Sequence, residues 1–339
     1  MLIGLRATRV GLDPGTANTL VYVRGRGVTV NEPSLVTIRT STGDIEAVGE
    51  EAEAGLGRTP RKFQTARPIR GGTVSDLALF DGMLHRFLRK AHLAGPLHRL
   101  KAAIAVPSGT TEVERRAILE SVRKAGAAEA LLVDQVLAAA RGAGLPVEES
   151  RGHMVVNIGA GVTDVGIISL GGAVYAAATR VAGDAMDAAI AAHVRAAHQL
   201  LIGERTAERL KIEIGSAAPG GDEAVLAVKG RCIGRGVPRE AVVRGSEVRE
   251  ALAAPLGRIV HAVREALEQA PPELSADLIE SGIVLTGGSA LLRNLDRLIA
   301  GHCGLSVRVA ENPLSCVILG LAYQLDRLRP REWRRIAGS

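Results

Sequence analysis

The chain has 339 residues, of which 47% are hydrophobic, 23% charged and only 2% aromatic, and its formal net charge is +6. This composition is typical of a globular protein and excludes extensive disorder. Because a single core rarely serves more than about 250–300 residues, two domains are expected. The positive charge is compatible with an anionic partner, but no stretch combines a DNA-binding motif with clustered base-reading side chains, so no nucleic-acid partner is expected.

The cysteine count and the apolar runs indicate a cytoplasmic protein, free or peripheral to a membrane. The three cysteines are an odd number without metal-site spacing, which is typical of a reducing compartment. The amino-terminal apolar stretch is interrupted too soon to be a secretion signal. The uncharged run 165–179 contains a Gly-Gly pair and is too short to span a bilayer.

Apolar periodicity and turn residues predict alternating strands and helices in the first half of the chain. Thr111 and Glu114 have the spacing of a capping box, and Gly126 is expected to end the helix that this box begins. The predicted elements are a hairpin over 9–23, short strands and a helix over 27–56, a helix over 76–93, a strand ending at Pro107, a helix over 111–126, and a strand and helix over 129–144.

The second half continues in the same way and ends in a basic tail, expected to fray. Its predicted elements are a strand pair over 153–170, another strand pair over 171–183, a helix from Asp184, a charged helix over 203–216, antiparallel strands over 224–245, a helix from Ser246, a strand–turn–helix over 281–301, a strand, and a last helix near 317–328.

Two of the predicted hairpins carry the same pattern of residues. Asp13, Gly15 and Thr19 recur at identical offsets as Asn157, Gly159 and Thr163. A tight glycine turn directs successive backbone N–H groups into one concavity, which suits phosphate oxygens, and a carboxylate at a strand end can hold hydrated Mg²⁺. The pattern therefore predicts a duplicated phosphate-binding hairpin. The alternative is two ordinary turns whose similarity arises by chance in a glycine-rich chain.

A third turn, Thr286-Gly287-Gly288, follows a buried strand and precedes a helical pattern. Such a turn lets the backbone approach a ribose or a flat ring closely. By itself it is weak evidence, because strand–glycine–helix turns are common in α/β proteins. Together with the two hairpins it favours a nucleotide site.

Beyond these motifs, the chain resembles the bacterial actin-like MreB family over roughly residues 3–325. The resemblance rests on stretches such as LDPGTANTLVY, ARPIRGGTVSD, IGERTAERLKIEIG and PPELSADLIESGIVLTGG. It implies an α/β, actin-like fold with two RNase H-like domains around a nucleotide cleft, each domain carrying a small inserted subdomain. The expected segments are 1–31 plus 76–150 for the first core domain, 32–75 for its insertion, 151–186 plus 251–328 for the second core domain, 187–250 for its insertion, and 329–339 for the tail.

The resemblance also implies ATP binding with Mg²⁺ and polymerisation into filaments at the inner face of the cell membrane, where they organise cell-wall synthesis. The implied partners are other copies of the chain, membrane proteins of the MreC, MreD and RodZ type and, weakly, the anionic membrane surface. Without the family, Glu208 and Lys211 would be interpreted as charges on an exposed helix. Positions matching the family's site are Asp13 (Mg²⁺ through water), Gly15, Thr16, Ala17 and Asn18, then Gly159, Ala160, Gly161 and Thr163, then Glu208 and Lys211, and finally Thr286, Gly287 and Gly288.

The chain departs from the family's pattern at the residues expected to perform the chemistry. Asn157 replaces an aspartate, so it keeps an oxygen acceptor but loses the charge that would hold hydrated Mg²⁺. Gln135 stands at the expected catalytic glutamate, where an amide can orient a water molecule but is no effective base. Ala160 and Val162 replace a glycine and a threonine of the second loop. These changes predict ATP binding with slow or absent hydrolysis; the alternative is that Gln135 and Asp13 suffice.

Membrane contact is predicted at the loop 90–100, where Leu93 and Leu97 would enter the interface beside basic residues. An ordinary helix-to-strand loop is the alternative, and Trp333 in the basic tail is a second candidate for membrane contact. Three other functions remain open: a non-hydrolysing actin-like scaffold or regulator of another filament, a small-molecule kinase of the same superfamily, and a DNA-segregating actin. The matches outside the phosphate loops argue against the kinase.

Overall fold

The computed structural model describes residues 7–57, 60–93, 100–220, 224–328 and Trp333. The chain divides into two compact units, one formed by residues up to Val147 together with those from Ser315 onward, and the other by Glu148–Leu314. The described residues contain no helix that is both long and apolar enough to cross a bilayer.

The strands and helices of the two units alternate along the chain. The strands are β1 (Thr8–Pro14), β2 (Asn18–Val23), β3 (Gly27–Pro33), β4 (Val36–Arg39), β5 (Ile45–Val48), β6 (Phe63–Ala66), β7 (Ile69–Arg70), β8 (Thr73–Val74), β9 (Leu100–Val106), β10 (Ala127–Asp134), β11 (His153–Ile158), β12 (Thr163–Ser169), β13 (Gly172–Thr179), β14 (Leu200–Leu201), β15 (Val225–Cys232), β16 (Pro238–Arg244), β17 (Ile283–Thr286) and β18 (Val307–Val309). The helices are α1 (Glu50–Ala54), α2 (Leu77–Lys90), α3 (Glu112–Lys124), α4 (Gln135–Gly142), α5 (Gly183–His198), α6 (Glu204–Ile214), α7 (Gly245–Glu268), α8 (Pro272–Ser281), α9 (Leu295–Cys303) and α10 (Cys316–Arg327), with short 3-10 turns at Gly288–Leu291 and Pro313–Ser315.

The first unit is built on a mixed five-stranded sheet in the order β10-β9-β1-β2-β3. Strands β1, β9 and β10 run parallel, so their carboxyl ends lie at one edge, and β2 returns antiparallel to β1. The predicted capping box at Thr111 and Glu114 is confirmed, with both reciprocal hydrogen bonds formed. Apolar side chains spaced as on one helix face bury α2 against the sheet, and the buried members are Phe80, Met83, Leu84, Phe87 and Leu88. A small sheet, β5-β4-β6, lies within the segment expected to be an insertion.

The last helix, α10, belongs to the first unit and not to the second, where it was expected. It packs on α4 and also contacts β1, β2 and β9. A glycine on each helix allows this close approach: a Cβ on Gly142 would lie 2.9 Å from the Cα of Cys316, and one on Gly320 would lie 2.9 Å from the Cα of Ala138. Chain continuity alone predicts that α10 belongs to the second unit. Its contact with α4 in the first unit depends instead on these two glycines.

The second unit repeats the five-stranded plan in the order β13-β12-β11-β17-β18. Helices α5 and α7 pack together, and α7 also covers β12 and β13. A small sheet, β14-β15-β16, lies within the expected second insertion and packs with α6. The predicted strand pair over 171–183 is wrong, because only β13 forms. The chain leaves the sheet after Thr179, and the Val181 side chain is buried in the core.

Candidate functional site

The turn between β1 and β2 is closed by backbone hydrogen bonds around one glycine. The Gly15 N–H donates to the carbonyl of Asn18 at 3.0 Å, and a Cβ at Gly15 would lie only 2.8 Å from that same oxygen. A larger residue would therefore force the turn open. The Thr16 hydroxyl accepts a hydrogen bond from the Gly72 N–H at 3.0 Å, which ties the turn to the β7–β8 hairpin.

The turn between β11 and β12 repeats this arrangement in the second unit. The Gly159 N–H donates to the carbonyl of Val162 at 3.0 Å, as Gly15 does to Asn18. The strand registers also correspond: Ile158 pairs with Thr163, and Pro14 pairs with Thr19. The repeated pattern in the sequence is thus matched by a repeated backbone structure, one copy in each unit.

A serine that the sequence analysis did not single out supports each turn. The Ser34 hydroxyl donates to the carbonyl of Gly15, and the Ser289 hydroxyl donates to the carbonyl of Gly159, both at 2.7 Å. Each serine comes from a segment distant in sequence, so no local pattern indicates the contact. The nearest signal is that Ser289 directly follows the Thr-Gly-Gly motif.

Asp13 and Gln135 lie at the edge of the first sheet where its parallel strands end. Asp13 lies in β1, and Gln135 is the first residue of α4, directly after β10. Strand β9 separates β1 from β10, and two strand spacings amount to about 10 Å. Burial raises the pKa of the Asp13 carboxyl to about 7, because charging it there costs desolvation. The Gln135 side-chain oxygen is buried and accepts no hydrogen bond from the described residues. The edge thus offers one carboxyl and one uncommitted amide oxygen.

Asn157 is joined to the Thr-Gly-Gly loop. The Thr286 hydroxyl donates to the Asn157 side-chain oxygen at 3.1 Å, and both side chains are buried. Gly287 has a φ of +84° and a ψ of 163°, and a Cβ there would lie 2.9 Å from the same Asn157 oxygen. Asn157 also pairs in register with the buried Asp164, so their side chains share one face of the sheet. An aspartate at 157 would place a second carboxylate opposite Asp164.

Lys211 is half-buried and ion-paired, whereas Glu208 is exposed on the same helix. The Lys211 Nζ lies 2.8 Å from a carboxylate oxygen of Asp187 and donates to the carbonyl of Gly183 at 3.3 Å. Burial raises the pKa of Asp187 to about 6, although the Lys211 ammonium opposes the shift. The Gly183 N–H in turn donates to the carbonyl of Gly159. Lys211 is therefore linked to the second glycine turn through Gly183. Asp187, which the sequence analysis does not single out, is the ion-pair partner of Lys211.

The remaining predicted site residues lie at the two glycine turns or in the Thr-Gly-Gly loop. Three of them use their polar groups within the protein: Ala17 accepts from the Ser34 N–H at 2.7 Å, Ala160 accepts from the Asp184 N–H at 2.7 Å, and the Thr163 hydroxyl donates to the carbonyl of Val181 at 2.7 Å. The Asn18 side chain is exposed and donates to Asn31, Gly161 is buried at the tip of the second turn, and Gly288 begins the 3-10 turn after Gly287.

Of the two predicted membrane residues, Leu93 does not lie at the surface. Leu93 is 3% exposed and packs in the core of the first unit with residues of α2. This corrects the expectation that its side chain is available to a membrane, because a leucine facing the core cannot also face lipid. Leu97 lies outside the described residues. Trp333 is buried, and the Lys101 ammonium lies 5.5 Å from the centre of its ring.

Comparisons with known proteins agree on one family. The family model described as MreB/Mbl protein matches residues 7–332. The cell shape-determining protein MreB of Escherichia coli K12 is 48% identical over 330 residues, covering 96% of this chain and 95% of that protein. The crystal structure of MreB5 of Spiroplasma citri bound to AMPPNP is similar at a TM-score of 0.89 and 34% identity, covering 93% of this chain and 95% of that one. The crystal structure of MreB5 of Spiroplasma citri bound to ADP is similar at a TM-score of 0.91 and 32% identity, covering 99% of this chain and 100% of that one.

Proposed function

The chain belongs to the MreB/Mbl family, and from this premise we propose that it is an actin-like, cell shape-determining protein whose filaments form on bound ATP. The observation that carries the nucleotide proposal is the duplicated glycine turn. Both units close the turn with the same hydrogen bond, in the same register, with a serine on the glycine carbonyl. One turn could be incidental, whereas two with the same supports indicate a shared ligand chemistry.

The residues present fit a nucleotide. Peptide N–H groups in glycine turns suit phosphate oxygens, and here their geometry is maintained by hydrogen bonds inside each unit. The Gly287 backbone occupies a conformation that is almost restricted to glycine, at a position where a Cβ would meet Ile158 and Asn157. The related Spiroplasma proteins were crystallised with AMPPNP and ADP, which supports adenine nucleotides as the ligand.

Asp13 is the residue proposed to hold Mg²⁺ through water, and the cation would supply neutralisation of phosphate charge. A carboxyl whose pKa is about 7 is only partly ionised at neutral pH. A nearby cation favours the charged form, so Mg²⁺-nucleotide binding and deprotonation of Asp13 support each other.

Hydrolysis is proposed to be slow or absent. The Gln135 oxygen is available to orient a water molecule but cannot accept its proton at neutral pH. The Asn157 oxygen is bonded to Thr286 and carries no charge that could retain hydrated Mg²⁺. Interactions used mainly in the transition state affect rate more than binding, so their loss leaves ATP affinity largely intact.

Filament formation with ATP is tested by sedimentation and negative-stain electron microscopy with Mg-ATP, Mg-ADP and no nucleotide. Filaments that require nucleotide support the proposal. Tight ATP binding without filaments under any condition would favour the other candidate, a non-hydrolysing actin-like scaffold that regulates another filament. The observation that favours this second candidate is the uncharged Asn157 side chain, which cannot retain hydrated Mg²⁺ for hydrolysis.

Location at the inner face of the membrane and partners of the MreC, MreD and RodZ type are proposed from the family alone. The loop 90–100 remains the proposed membrane contact, now through Leu97 and basic neighbours. Leu97→Ser should weaken binding to anionic liposomes, whereas Leu93→Ser is unsuitable as a test because it would disrupt the core. Unchanged liposome binding by Leu97→Ser would rule the loop out.

A further inference from the structure

A concave site unrelated to the glycine turns lies in the second unit, between helices α7 and α9. Its volume is about 370 Å³, which is within the range that small organic ligands occupy. None of the nucleotide-loop residues lines it. The lining consists of Ala217, Arg249, Ala253, Leu256, Gly257, Val260, His261, Arg264, Leu298 and His302.

The floor of this α7–α9 cavity is apolar and firmly packed. Leu256 and Val260 are 2% and 6% exposed and belong to the core of the second unit. Ala217, at 8% exposed, is fixed by a hydrogen bond from its N–H to the carbonyl of Arg293 at 2.8 Å. These residues present a preformed apolar surface at the base of an open cavity, which is the usual setting for the apolar part of a ligand.

The depth of the cavity depends on a glycine inside a long helix. Gly257 lies in the middle of α7, where glycine is less favourable than alanine. Apart from its chain neighbours and the backbone of α7, no atom of the described residues lies within 4 Å of the position that its Cβ would occupy. Packing within the chain therefore does not require glycine here. The missing side chain instead leaves space at the wall of the cavity, one helical turn after Ala253, which is also small.

The rim of the cavity is basic. His261 and Arg264 on α7 and His302 on α9 are exposed, and the partly buried Arg249 lies earlier on α7. Among the described residues, no acidic side chain lines the cavity and no ion pair engages His261, Arg264 or His302. The Arg264 guanidinium is near enough to Cys303 to oppose the rise in the pKa of that thiol caused by burial, so its charge lies on the α9 side of α7. The rim thus complements an anion.

We propose that the α7–α9 cavity binds a small amphipathic anion, a carboxylate or phosphate on a short apolar body. The apolar body lies over Leu256, Gly257 and Val260, and the anionic group meets Arg264 and His302. A concave volume of this size favours a small molecule over a protein surface, and the basic rim at Arg264 and His302 selects anions over neutral molecules of the same shape.

The test uses the full chain saturated with Mg-ADP, octanoate and octyl phosphate as probes, and methyl NMR of Leu256, Val260 and Leu298 as the readout. Both probes should cause saturable shifts at sub-millimolar concentration. Octanol, which lacks the charge, and acetate, which lacks the apolar body, should bind at least tenfold more weakly. Arg264→Gln combined with His302→Gln should reduce octanoate affinity at least tenfold and leave octanol affinity unchanged.

Gly257→Leu is the variant that fills the cavity, and leucine favours the helix more than glycine does, so the protein should stay folded. It should abolish the shifts. Gly301→Leu is the matched control, because Gly301 is also a helical glycine whose Cβ position has no described atom within 4 Å outside its neighbours and helix backbone, and it does not line the cavity. Equal binding by Gly257→Leu and the natural protein, or equal affinity for octanol and octanoate, would overturn the proposal. So would shifts that appear only with anionic vesicles or only with rising protein concentration, which would indicate a membrane or a second copy instead.

Discussion

Replacing Gly287 with alanine should damage nucleotide binding through the backbone of the Thr-Gly-Gly loop. With φ at +84° and ψ at 163°, this residue is in a region that costs a non-glycine residue about 1–3 kcal/mol. The added Cβ would lie 2.6 Å from the carbonyl carbon of Ile158 and 2.9 Å from the Asn157 oxygen. Overpacking of this kind costs about 1–3 kcal/mol more, so the unfolding free energy should fall by roughly 2–6 kcal/mol.

Gly282, at the other end of β17, provides the matched control. It precedes β17, whereas Gly287 follows it, and its φ of 64° and ψ of −162° belong to the same region. A Cβ there would lie 2.5 Å from the carbonyl oxygen of Ser306. Gly282→Ala should therefore lose a similar amount of stability without touching the loop.

The assay combines denaturant unfolding with ADP binding measured well below the unfolding transition. Gly287→Ala should bind ADP at least tenfold more weakly, a change of about 1.4 kcal/mol, while Gly282→Ala should stay within about twofold of the natural protein. Equal affinities in the two variants would refute the proposal that the Thr-Gly-Gly loop contacts the nucleotide.

Three further changes test the account. Ser289→Ala removes the donor to the Gly159 carbonyl, and should lower the unfolding free energy by about 1 kcal/mol and weaken ADP binding; unchanged ADP affinity would contradict a supporting role. Asp13 loses its proton near its ordinary value of 3.8 when unfolded and only near 7 when folded, so the unfolding free energy should fall as pH rises between these values and level off above 7. Asp13→Asn should reduce that fall in urea titrations, and an identical pH profile would refute the buried carboxyl. Gly320→Ala forces α10 away from Ala138 and should lower the midpoint of thermal unfolding; an unchanged midpoint would contradict the close contact of α10 with α4.

The sequence indicated those features that depend on local chemistry. The capping box at Thr111 and Glu114, the glycine turns and the strand before Thr286 are each determined by neighbouring residues, and each forms as predicted. The matching offsets around Asp13 and Asn157 correctly indicated equivalent hairpins. Assignment of these loops to ATP remains a proposal.

Features that depend on contacts between distant segments were not predictable from one sequence. Ser34 and Ser289 reach their glycines only after the sheets have formed, and Asp187 meets Lys211 across two helices. The membership of α10 in the first unit follows from glycine contacts with α4, which no periodicity reveals. Leu93 was mistaken for a surface residue because the end of an amphipathic helix and an apolar loop look alike in sequence.

We propose that the glycine turns and the Thr-Gly-Gly loop bind ATP and that Asn157 limits its cleavage. Phosphate release from Mg-ATP by the natural protein and by Asn157→Asp, with ATP affinity measured for both, tests this proposal. Thr286 can donate equally to an aspartate, so the variant should fold, although the carboxylate opposite Asp164 should make its stability depend on Mg²⁺. We expect similar ATP affinities, with slow or undetectable release by the natural protein and faster release by the variant. Release by the natural protein that equals or exceeds that of Asn157→Asp would contradict it and show that Gln135 and Asp13 suffice.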